Sequence, residues 1–116
     1  MPNIDDFFAA WGMDDASDQN AAIKAACSDN VTYADPRTDE PLKGPDALAA
    51  YVAMFAEAAP GATASVVKSD TIQDTIRVTV AFRMPNGMEQ MGQYFVEPAQ
   101  GKITRMTGFV GTGALE

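Results

Sequence analysis

The chain of 116 residues has room for one domain, and 47% hydrophobic with 21% charged residues excludes a disordered or collagen-like chain. Sixteen acidic against eight basic side chains leave a net charge of −8, which repels nucleic acid and anionic membrane surfaces. Histidine is absent, so Ser–His and Cys–His nucleophile pairs and imidazole metal sites are excluded within one chain.

The acidic surplus lies in residues 1–60, which carry 3 bases and 11 acids, and reads as a solvated helical surface. No apolar run approaches the roughly 18 residues of a membrane span. Met1 to Asp6 lacks the basic region of a secretion signal, and Cys27 is the single cysteine, unable to form an internal disulfide. These features lead us to expect a reduced, cytoplasmic protein.

In chain order, Asn3 is a candidate N-cap for a first helix, with Ile4, Phe7, Phe8 and Trp11 at i, i+3, i+4 and i+7 forming one apolar face. After Gly12 and the polar break Asp14 to Asp18, Ala22, Ile23, Ala26 and Cys27 mark a second, short helical face. Val31-Thr32-Tyr33-Ala34 is a brief strand closed by Asp35-Pro36, and residues 35–45 form a proline-rich loop. Pro45 suits the first turn of a third helix, whose apolar face is Leu48, Tyr51, Val52 and Phe55 and which stops at Pro60-Gly61.

The remainder reads as strands over 64–68, 75–84, 88–97 and 103–110, with Pro85-Asn86-Gly87 as a hairpin turn. Helices followed by an antiparallel meander make an α+β domain. The strand at 88–97 is apolar on both sides, with Met88, Tyr94 and Val96 at even positions and Met91 and Phe95 at odd ones. The helices cover one face of the sheet, and a second copy of the chain is the simplest cover for the other. The odd set is placed inside and the even set in a homodimer interface, with the reverse parity as the alternative.

The run Val31 to Pro36, followed by Glu40-Pro41 and Gly44-Pro45, resembles the NTF2-like superfamily, and within it the SnoaL-like and ketosteroid-isomerase-like branch. Trp11 in an aromatic first helix, Pro60-Gly61 and the closing Gly101-Lys102-Ile103 to Phe109 extend the likeness over nearly all of residues 1–116. The resemblance implies a single cone-shaped α+β domain, helices packed in a curved, mainly antiparallel sheet around a pocket, and a dimer through the sheet. It also implies that Asp35 is a general base. The chain departs from the isomerases at Phe7 and Gln93, where they place a tyrosine and a protonated aspartate, so steroid isomerisation is not expected.

Two readings of Asp35 stand side by side. A carboxylate at the mouth of an apolar pocket can accept a substrate proton, with Tyr33, two residues earlier on the same strand side, as a phenolic donor. Alternatively, Asp-Pro merely ends the strand, its side chain bonding nearby amides in a turn. Gln93, with Met91 and Phe95 on its face, either lines the pocket as an amide donor or packs in the sheet. Trp11, Tyr51, Phe55 and Phe82 complete the candidate walls.

No metal and no cofactor are expected. Asp14, Asp15 and Asp18 lack a calcium loop's spacing, and the glycines from Gly108 to Gly113 precede no helix that would cradle phosphate. The expected function is cofactor-free acid/base chemistry (isomerisation, cyclisation or hydration) on a small hydrophobic ring compound. The alternative is a non-catalytic ligand-binding or protein-association module.

Overall fold

A computed structural model describes residues 4–111. Helix α1 (Ile4–Ala10) buries Phe7, Phe8 and Ala10, as its apolar spacing requires, while the proposed cap Asn3 lies outside the described residues. Helix α2 (Ala16–Ala26) is capped by Asp15, whose carboxylate accepts the Asp18 N–H at 2.9 Å. Strand β1 (Cys27–Ala34) begins immediately afterwards. Cys27 is therefore a strand residue rather than part of the helical face. The polar Ser28-Asp29-Asn30 and a register irregularity between Cys27 and Thr32 disguise this early start.

The loop after β1 contains a two-residue strand, β2 (Leu42–Lys43), paired antiparallel to β1. Gly44, at φ +90°, then turns the chain into helix α3 (Pro45–Ala58), with proline in its first turn. The meander follows as β3 (Thr63–Ile72), β4 (Thr75–Arg83), β5 (Glu89–Ala99) and β6 (Lys102–Val110). The sheet runs β2-β1-β6-β5-β4-β3, antiparallel throughout except for the parallel pair β1–β6. The α+β expectation holds: three helices pack on a curved, six-stranded mixed sheet.

The inner face of β4 is Ile76, Val78, Val80 and Phe82, all buried, matching the sequence alternation. On β5 the expected parity is reversed: Gly92, Tyr94 and Val96 are buried, Gln93 is half-buried and Phe95 is exposed. Side-chain hydrophobicity could not separate two faces that are both apolar. The close packing of Tyr94 against Gly108, its register partner on β6, does. Among the described residues no helix is long and apolar enough to cross a membrane.

Candidate active-site cavity

The concave sheet, the turn after α1 and helix α3 bound a cavity of about 310 Å³, walled by Trp11, Tyr51, Phe55, Phe82 and Tyr94 with Asp35 among them. The rings interlock: Trp11 meets Phe55 at 5.1 Å and Phe82 at 5.7 Å between centroids. The Trp11 indole nitrogen is buried without a hydrogen-bond partner among the described residues.

Asp35 follows the last residue of β1 and is held from several sides. Its carbonyl accepts the Thr38 N–H at 3.1 Å, and the Thr38 hydroxyl both donates to that carbonyl and accepts the Asp35 N–H. Carboxylate Oδ1 accepts the Arg37 backbone N–H at 2.8 Å. The turn-forming role is thus present. Oδ2, however, accepts two phenol hydroxyls at 2.6 Å each, Tyr33 from β1 and Tyr51 from α3. Strand periodicity delivers the first, since Tyr33 and Asp35 share a side. The second needs α3 to cross the sheet end with Tyr51 facing inward.

These short, charge-assisted bonds fix the carboxylate and set its remaining valence. A carboxylate oxygen has two acceptor sites. Oδ2 has filled both, whereas Oδ1 accepts one bond, from the Arg37 N–H. The phenols are stabilised in their protonated forms. Burial raises Tyr33 most, with Tyr94 and the bond to Asp35 adding to it. Burial and the same carboxylate raise Tyr51. Tyr94 is pushed up to about 12 by burial, opposed by its hydrogen bond with Tyr33. At neutral pH all three are proton donors or neutral acceptors.

Of the candidate residues, Asp35, Trp11, Tyr51, Phe55 and Phe82 line the cavity, and Met91 joins them. Tyr33 is only 1% exposed and is not among the residues of the wall; it donates to the carboxylate of Asp35. Gln93 and Phe95 are corrected: β5 turns them to the outer face, and neither is among the cavity residues. Tyr94 and Arg37 line the cavity without having been singled out for it. Gly92 and Gly108, glycines in strand interiors, were the readable signal for Tyr94. Among the described residues no group of three acidic or cysteine side chains forms a metal-binding cluster.

Known proteins share this fold. The family model described as a SnoaL-like domain matches residues 4–106. A SnoaL-like family protein from Agrobacterium tumefaciens, provisionally classed as an isomerase, superposes with a TM-score of 0.82. It is 22% identical, and the match covers 91% of this chain and 92% of that one. A protein of ketosteroid isomerase-like fold from Catenulispora acidiphila, solved in complex with trimethylamine, gives a TM-score of 0.75 at 14% identity, covering 89% and 80%. An LEH-like epoxide hydrolase from M. tuberculosis gives 0.68 at 14% identity, covering 93% and 79%. At such identities the likeness is one of fold. Among curated proteins none matches.

Proposed function

Because the chain belongs to the SnoaL-like domain family, we propose that it moves a proton on a small, largely apolar ring compound, using Asp35 as general base and no cofactor. The reaction is an isomerisation, cyclisation or hydration. The observation that carries this reading is the carboxylate itself: it stands in an aromatic cavity, is fixed by Tyr33 and Tyr51 through Oδ2, and accepts one bond, from the Arg37 N–H, at Oδ1. A pre-oriented base loses little freedom when substrate arrives, and the ring walls exclude competing water. Tyr94, in the same wall and protonated, turns its hydroxyl from Tyr33 to the ligand oxygen that gains charge. The epoxide hydrolase of the same fold is an enzyme that adds water, which keeps hydration within the proposed range.

The test is solvent-deuterium incorporation into cyclohexenones in D₂O, followed by proton NMR, with wild type and Asp35→Asn. Exchange catalysed by wild type and lost in the variant supports the reading. A second reading, ligand binding without catalysis, draws on the same bonds, since three donors would also hold a purely structural Asp35. In that case neither protein accelerates exchange while cavity ligands still bind.

We further propose a homodimer through the outer sheet face, where Phe95 and Phe109 form an edge-to-face pair at 5.7 Å and are 38% and 55% exposed. Arg105–Glu97 and Arg77–Asp70 flank this pair with both charge signs, as a self-complementary face requires. A reducing, cytoplasmic setting fits the buried thiol of Cys27, pushed up to about 11 by burial and so held as the unreactive thiol.

A further inference from the structure

The described arginines divide sharply. Arg77, Arg83 and Arg105 each pair with an acid on the sheet, namely Asp70, Glu89 and Glu97. Arg37 makes no ion pair among the described residues, although Asp35, Asp39 and Glu40 lie within three positions of it. Its backbone is not free, because its N–H is bound to Asp35 Oδ1 inside the turn that Thr38 closes. The side chain lines the cavity. Its charge is felt by the Tyr51 and Tyr94 hydroxyls, both of which it draws downward against the effect of burial. An exposed arginine whose backbone is anchored in the turn thus stands at the rim of an aromatic cavity without an ion pair among the described residues, in a chain with twice as many acids as bases.

We infer that Arg37 is the specificity-determining residue of this cavity, and that the ligand is a ring compound bearing a carboxylate. This rests on the reading of the cavity as a ligand site. A carboxylate taken deep into the cavity would meet Asp35 and be repelled. At Arg37 it meets a planar fork of donors matched to its own two oxygens, while the ring reaches Trp11, Phe55 and Phe82. The anion therefore sets which end of the molecule enters, and the uncharged ring carries the reacting carbon toward Oδ1 of Asp35.

Cyclohexanecarboxylate and cyclohexanecarboxamide test this, since they share shape and differ in charge. Trp11 is the only tryptophan, so its fluorescence reports occupancy of the cavity for either probe. We expect wild type to bind the carboxylate about fivefold more tightly than the amide, the ratio a solvent-screened pair supports. We expect Arg37→Gln to lose that preference while keeping its affinity for the amide. Arg83→Gln, which removes an arginine paired with Glu89 on the sheet, retains the preference. Equal binding of the two probes by wild type, or a preference that survives in Arg37→Gln, overturns the role of Arg37 alone. Failure of both probes to alter Trp11 fluorescence overturns the ligand-site reading together with it.

Discussion

Tyr94 lies flat against Gly108: a Cβ built on that glycine would fall 2.5 Å from the Tyr94 ring. The two are register partners on β5 and β6, and Tyr94 is almost wholly buried, so the ring has little room to give. Gly108→Ala is expected to cost about 1–3 kcal/mol, an overpacking penalty. In a chain of this size that lowers Tm by several degrees. Thermal unfolding followed by circular dichroism measures it, and an unchanged Tm would mean that Tyr94 does not occupy the cavity wall.

The three tyrosines of the chain, Tyr33, Tyr51 and Tyr94, belong to one network, which makes their ionisation readable. All three are raised above the ordinary phenol value of 10. The folded state thus binds protons that the unfolded state releases above pH 10. Their contribution to stability is complete below pH 10 and declines as pH rises toward the folded value, about 12 for Tyr94. Absorbance at the tyrosinate band should stay low in the native protein at pH 10.5 and rise sharply on unfolding. Half-ionised tyrosine in the native protein near pH 10 would contradict the network.

Most of the fold is legible in the amino-acid sequence. The i, i+3, i+4, i+7 spacing at Ile4 to Trp11 and Leu48 to Phe55, and the alternation from Ile76 to Phe82, each mark a face that is indeed buried or packed on the core. The start of β1 at Cys27 was not, because its middle is polar and its register breaks. In the site, Tyr33 and Asp35 were linked by strand periodicity alone. The bond from Tyr51 was not legible, since it spans 16 residues and depends on how α3 crosses β1. Gln93 and Phe95 were misplaced for a different reason: shifting parity by one residue exchanges the two faces of a strand, and β5 is apolar on both.

Removing one phenol should separate support from wall. Tyr33→Phe leaves Asp35 Oδ2 with a single side-chain donor and is expected to lower stability by about 1–2 kcal/mol. Tyr51→Phe, at a partly exposed position, should cost less stability and alter ligand affinity more, because Tyr51 lines the cavity and Tyr33 does not. Chemical denaturation and fluorescence titration of both variants read the two effects. The reverse ranking would place Tyr33 in the wall.

On the outer face, Phe95→Glu should convert a dimer into a monomer without changing the fold, since Phe95 is exposed in the single chain. Sedimentation velocity at micromolar concentration measures this. A monomeric wild type would remove the dimer proposal altogether.

The central claim is that Asp35 takes a proton from a ligand in the aromatic cavity. Its most direct measurement is the rate of deuterium incorporation into cyclohexenones for wild type and Asp35→Asn, at matched ligand occupancy read from Trp11 fluorescence. The account predicts that the variant still takes ligand into the cavity, loses several degrees of Tm because its amide nitrogen cannot accept one of the three donors, and loses about 100-fold or more of the exchange rate. Equal exchange rates at equal occupancy would contradict it.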